Sequence, residues 1–277
     1  MDFGVLYIVA TPIGNLEDIS PRAAKTLRDA DFIAAEDTRV TRKLLEHTGI
    51  KKKPVSYHAH NRVESGERIL GRILAGESCA LVTDAGTPGI SDPGEDLVRL
   101  CLRSGIRVSA IPGPCAAIAA LITSGLPSGR FTFEGFLSTA RKSRFDHLSE
   151  LASEKRTMVF YEAPHKLVRT LQDMLKVFGD RSVSISRELT KMYEETLLFT
   201  LSEAAAYYET NPPRGEFVLI IEGKQEADDA QPDTAAAIDR IRAYEEEGLS
   251  FSDAVKKASA ETGISKNRLY KEAVATK

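Results

Sequence analysis

The residues best suited to chemistry form one run, Asp84-Ala85-Gly86-Thr87-Pro88-Gly89-Ile90-Ser91-Asp92-Pro93-Gly94. It follows a strand-type run at 80–83 and precedes a helical run at 95–103. Ligands of open α/β sheets bind at the carboxyl ends of strands, and glycine lets a backbone approach a ligand closely. The spacing is neither Gly-x-Gly-x-x-Gly nor Gly-x-x-x-x-Gly-Lys-Ser/Thr, so the lysine and Mg²⁺-binding hydroxyl of a nucleotide triphosphatase are missing. Thr11-Pro12-Ile13-Gly14-Asn15-Leu16 and Pro112-Gly113-Pro114 are further Gly/Pro loops after strand-type runs at 5–10 and 107–111. Three such loops predict a shared cleft at one sheet edge, presenting backbone groups and small side chains. That suits a neutral or zwitterionic ligand better than a polyphosphate. The acidic turn Glu36-Asp37-Thr38-Arg39, after a buried run at 32–35, is expected at the same edge. Glu36 or Asp37 is suited to accept a proton, and Arg39 to hold a phosphate or steady an alkoxide. Alternatively, Asp37 and Thr38 cap the helix that follows.

The elements that must position these loops follow an α/β rhythm. Ser20-Pro21 supplies an N-cap and a first-turn proline for a helix at 22–30. Helices are expected at 39–47, capped by Thr38 and ended by Gly49, and at 64–74 and 95–103. A short strand is expected at 55–58. After Pro112–Pro114 the pattern changes: a small apolar helix at 116–122, strands at 131–136, 158–161, 183–186, 197–200 and 217–221, helices at 166–178 and 203–210. This predicts two α/β domains, 1–113 and 114–223, matching the roughly two domains expected of 277 residues. Residues 224–233 (KQEADDAQPD) read as a linker. Short helices at 234–247, 252–262 and 265–275 follow as a helical tail domain, 234–277, with Ser252 and Ser265 as caps and Gly263 as a stop.

Composition excludes several classes. With 42% apolar and 28% charged residues the chain is neither collagenous nor disordered. Its three cysteines form no Cys-x-x-Cys pair, and no His-x-x-x-His pair exists. His58 and His60 are expected to share a strand face without a metal role. No apolar run approaches the roughly 20 residues of a membrane span, and no signal peptide is visible, so a cytosolic, reduced protein is expected. The net charge of −3 argues against bulk attraction to nucleic acid. Locally the balance differs. Glu36 to Lys53 holds six bases (Arg39, Arg42, Lys43, Lys51, Lys52, Lys53) against three acids. Arg141, Lys142 and Arg144 form a second cluster, and Lys266, Arg268 and Lys271 a third. Any one is ordinarily a solvated face; together they suit a phosphate backbone.

The strings LYIVATPIGNLEDIS, AAEDTR, DAGTPGISDPG, IPGP, FYEAPH and GEFVLIIEG occur in order. In these the chain resembles the tetrapyrrole-methylase superfamily, and within it the branch that methylates small-subunit ribosomal RNA. The resemblance implies S-adenosylmethionine folded between two α/β domains. The matching cofactor positions are Pro12, Asp84, Gly86, Ile90, Ser91, Gly113, Tyr161, Glu162 and Pro164, with Gly215, Phe217 and Leu219 on the far side. It further implies 2′-O-methylation of a cytidine in the decoding region of 16S rRNA, a homodimer, and no required metal. The tail is similar to the helical domain appended to this branch, and Gly263–Asn267 resembles a helix-turn-helix bend. Under that implied activity, Asp37, Arg39 and Glu36 are the catalytic candidates and His165 flanks the cleft. The basic residues above are the RNA-binding candidates. Tetrapyrrole methylation and non-catalytic RNA binding are the competing expectations.

Overall fold

The computed structural model describes residues 3–225, 234–262 and 264–275. Val5–Val9 (β1), Phe32–Ala35 (β2), Val55–Ser56 (β3), Cys79–Val82 (β4) and Arg107–Ile111 (β5) form a five-stranded sheet in the order β3-β2-β4-β1-β5. Every pairing is parallel. The carboxyl ends of all five strands therefore lie at one edge, as the clustering of Gly/Pro loops required. Pro21–Asp29 (α1) and Thr38–His47 (α2) pack Leu27, Leu44 and Leu45 on one face. Arg62–Leu74 (α3) and Glu95–Arg103 (α4) pack Ile69, Ile73 and Leu97 on the other. The Ser20 hydroxyl accepts the Ala23 N–H with Pro21 in the first turn.

The second sheet has the order β6-β7-β10-β8-β9. Its strands are Phe131–Phe136 (β6), Thr157–Glu162 (β7), Ser182–Arg187 (β8), Glu195–Thr200 (β9) and Phe217–Ile221 (β10). Only β6 and β7 are parallel neighbours. Ala116–Thr123 (α5) covers one face with Ala117, Ala120 and Leu121 against Val159, Val218 and Ile220. Leu167–Phe178 (α7) and Leu201–Thr210 (α8) cover the other, against Phe160 and Leu219. The α8 helix begins two residues before the expected Glu203 because Thr200 and Glu203 form a reciprocal cap.

Several expectations need correction. Arg141–Glu150 is a helix (α6), and its Arg144 is no surface cation. The guanidinium is buried against Asp173 at 2.8 Å and donates to the Ser138 and Thr139 carbonyls. Helix α2 is capped by Asp37 rather than Thr38. The β3 strand stops at Ser56, so His58 and His60 share no strand face; their rings meet edge-on at 5.9 Å.

The tail helices Thr234–Glu246 (α9), Phe251–Thr262 (α10) and Lys266–Ala275 (α11) have a core of their own, including Ile241, Val255 and Leu269. Ser250, not Ser252, caps α10, accepting the Asp253 N–H. The expected linker beyond Gln225, Gly263 and the side chains of Asn267 and Arg268 lie outside the described residues. Among the described residues no helix is long and apolar enough to cross a membrane.

Candidate functional site

The loops after β1, β4 and β5 interlock. Thr11 and Gly86 exchange backbone hydrogen bonds at 2.8 and 3.1 Å, and the Thr87 hydroxyl donates to the Pro114 carbonyl at 3.1 Å. Gly86 has φ +82°, the left-handed region where a side chain is strained. Across from them stands the second sheet. The loop after β1 lies on residues 188–194: the Asn15 N–H donates to Thr190 Oγ1 at 3.1 Å. A Cβ on Gly14 would come within 2.9 Å of the Leu189 carbonyl. Together these surfaces enclose a cavity of about 290 Å³.

Its walls differ in kind. The first domain contributes Ile13, Glu36 and loop residues between Asp84 and Asp92. The second contributes Phe136, Tyr161, Phe217 and Val218. Tyr161 is held by Phe133 and Phe136, at 5.2 and 5.5 Å between rings. Its phenol oxygen accepts the Ala117 N–H at 3.1 Å, at the start of α5. Burial pushes the phenol's pKa up, so it stays neutral.

The cavity is electronegative. Glu36, Asp84, Asp92, Glu188 and Glu216 line it, against the single cation Lys191, which pairs with Glu188 at 2.9 Å. Burial, reinforced by Glu36, pushes the Asp92 carboxyl up to about 6. Burial also raises Asp84, against a hydrogen bond from the Asp37 N–H at 3.0 Å. The Thr83 hydroxyl donates to Glu36 at 2.6 Å and lies within hydrogen-bonding reach of Asp92. Such walls repel a polyphosphate and favour a ligand carrying positive charge. S-adenosylmethionine, with a sulfonium and an ammonium against one carboxylate, fits both the charge and the backbone-lined loops.

Of the expected cofactor positions, Asp84, Gly86, Ile90, Ser91, Tyr161 and Phe217 line this cavity, as does Glu36. Others fall elsewhere. Pro12 is buried beneath the loops, and Gly113 closes against Ala10, where a Cβ would approach to 3.0 Å. Pro164 opens the short turn Pro164–Lys166. Gly215 abuts the Glu188 carboxylate and lines a neighbouring hollow. Glu162 is 1% exposed, held by Thr170, Ala163 and Lys166 at 2.6–2.8 Å. Leu219 lies in the core on the same face as Phe217, two residues further along β10 from the cavity.

Asp37 and Arg39 form a two-pronged ion pair beside the cavity rather than in it. Arg39 and the capped helix end hold the Asp37 carboxylate well below the usual range. That makes it a poor proton acceptor. His165 is exposed on the turn after β7.

Among the basic residues, Arg42, Lys51 and Lys53 line one surface hollow, with Lys43 exposed nearby on α2. The ammonium of Lys52 is committed to the carbonyls of Leu27, Arg28 and Ala30, closing the end of α1. Arg141 lies over the Phe145 ring at 5.5 Å, and Lys142 is exposed. Lys266 and Lys271 are exposed on α11.

The sequence pattern passed over Asp92, Phe136, Glu188 and Lys191. Asp92 sits inside the quoted loop, yet nothing in its spacing marks it. Glu188 and Thr190 adopt φ +51° and +65° without being glycine, so the loop after β8 carried no turn signal.

The model of the tetrapyrrole (corrin/porphyrin) methylases matches residues 5–205. A Synechocystis protein named ribosomal RNA small subunit methyltransferase I is 48% identical, covering 96% of each chain. Proteins of the same name from Escherichia coli O157:H7 and Bacillus subtilis are 45% and 42% identical. They cover 98% and 97% of this chain, and 95% and 94% of their own. Among solved structures, uroporphyrin-III-C-methyltransferase from Thermus thermophilus superposes with a TM-score of 0.57 at 19% identity, covering 78% of this chain and 94% of that one. Diphthine synthase does so with a TM-score of 0.59 at 15% identity, covering 79% and 90%. The likeness of these two is one of fold.

Proposed function

The chain belongs to the tetrapyrrole methylase family, and on that premise we propose that it methylates small-subunit ribosomal RNA with S-adenosylmethionine. Its acceptor is the 2′-hydroxyl of a cytidine in the decoding region, as the sequence resemblance implies. One observation carries the choice of RNA over a tetrapyrrole. The 42–48% identity to ribosomal RNA methyltransferases runs over 96–98% of the chain, beyond what the two α/β domains account for. Solved enzymes of the same fold, among them the uroporphyrin methyltransferase, cover 78–79%. The exposed basic residues around Arg42 and on α11 support a polyanionic partner. A homodimer working in the cytoplasm accords with this substrate.

The cofactor supplies an electrophilic methyl group when bound. Asp84, Gly86, Ile90, Ser91, Tyr161 and Phe217 would hold it. The cavity's carboxylates complement its cationic end, and the Tyr161 and Phe136 rings exclude water. A ribose hydroxyl is a poor nucleophile and gains from a base whose pKa lies near the working pH. Asp92, raised to about 6, meets that requirement, and its carboxylate takes the hydroxyl proton. Glu36, fixed by Thr83, keeps Asp92 basic through its charge. Much of the acceleration comes from holding nucleophile and methyl in line.

Incubation with labelled cofactor and small subunits from a strain lacking the enzyme tests the proposal. Label is expected in an alkali-stable ribose methyl group on 16S rRNA. Label entering a tetrapyrrole and no RNA would overturn it.

A further inference from the structure

Beside the cofactor cavity, and sharing Glu188 with it, lies a second hollow of about 590 Å³ lined by Tyr193, Tyr207, Tyr208, Asn211 and Arg214. Its volume suits a small-molecule-sized group, roughly 300–1,000 Å³. Tyr208 is 5% exposed, and its hydroxyl has no hydrogen-bond partner among the described residues. Its ring is fixed edge-on by Tyr207 at 5.0 Å and Phe217 at 5.6 Å and forms part of the wall, with the hydroxyl closed to the hollow.

Tyr193 presents the opposite feature, a flat aromatic ring 72% exposed. Its loop is braced. The Glu194 carboxylate accepts the Thr190 N–H at 2.7 Å, and Thr190 is bonded in turn to Asn15. An exposed ring on a fixed loop is preorganised to stack. The two carboxylates of the hollow are already neutralised, Glu188 by Lys191 and Glu195 by Arg187 at 2.7 Å. Arg214 is exposed beside them. The hollow thus combines an exposed stacking ring with an exposed guanidinium.

We propose that this hollow receives one unstacked base of the RNA flanking the methylated nucleotide. The base stacks on Tyr193, and Arg214 holds the adjoining phosphate. The proposal rests on RNA being the substrate. Single-stranded RNA is read this way, with bases splayed onto aromatic side chains.

The test compares wild-type protein with Tyr193→Ala, Tyr193→Phe and Tyr208→Phe. It measures cofactor Kd, kcat, KM for small subunits, and fluorescence of RNA carrying 2-aminopurine beside the target cytidine. Tyr193→Ala is expected to raise KM roughly 5- to 150-fold, the loss of one base stack. It should abolish quenching of the 2-aminopurine and leave cofactor Kd unchanged, while Tyr193→Phe restores both. Tyr208→Phe, which alters a hydroxyl closed to the hollow, should leave KM unchanged. Wild-type methylation with KM unchanged in Tyr193→Ala overturns the proposal and leaves the RNA function standing. Equal weakening of cofactor Kd assigns the hollow to the cofactor and also overturns it. If wild-type protein methylates no RNA, the premise fails and the proposal with it.

Discussion

Asp37 and Asp92 follow neighbouring strands, β2 and β4, at the same sheet edge, yet their acidities diverge. Asp37 meets a guanidinium and an unfilled helix N-terminus, and its carboxylate is held far below its ordinary range. Asp92 meets burial and the charge of Glu36, and is raised to about 6. An aspartate opposite an arginine looks catalytic in a sequence, but that pairing removes its basicity. The crowded carboxylate without a cation is the one left able to take a proton near neutrality.

The largest effect expected is from Asp92→Asn. It should lower kcat about 10²–10⁴-fold at pH 8, the usual worth of a general base. In wild-type protein kcat should fall as pH drops through about 6, and that limb should vanish in the variant. Thr83→Val should come next. Losing a hydrogen bond to a charged group predicts a roughly ten- to hundredfold loss in kcat. Asp37→Ala should leave kcat within a few-fold of wild type and lower Tm by about 2–4 °C through the lost cap. A kcat loss matching that of Asp92→Asn would reverse the comparison.

The smallest effect lies in how stability follows pH, and here the two aspartates have opposite signs. The folded state favours protonated Asp92. Its contribution is full below the unfolded pKa and is lost as pH rises through about 6. Wild-type protein should therefore lose stability relative to Asp92→Asn between pH 4 and 7. Asp37 stabilises above its ordinary value of 3.8 and loses that contribution as pH falls through its lowered one. The melting temperatures of wild type and Asp37→Ala should therefore converge in acid. Thermal melts from pH 3 to 8 measure both trends.

Much of the scaffold was legible because its signals are local. The strands at 32–35, 107–111, 131–136 and 217–221 and the helix at 95–103 stand at their expected bounds, marked by apolar runs and glycine stops. Helix α6 was missed because its exposed face is basic and its inward-facing Arg144 reads as surface charge until Asp173 is found 29 residues on. Lys52 misled for the same reason: a lysine run looks solvated until one ammonium closes the end of α1.

The sequence by itself determined the alternation of strand and helix, the glycine loops and the kinship that names a cofactor and an RNA. These depend on residue type and near-neighbour spacing, which the chain displays directly. Which carboxylate is basic, which tyrosine is left without a partner, and which lysines face outward were decided by tertiary structure alone. Burial and charge pairing set those properties, and many of the partners are distant in sequence: Glu36 meets Thr83 47 residues on, and Lys52 meets the end of α1 22 to 25 residues back.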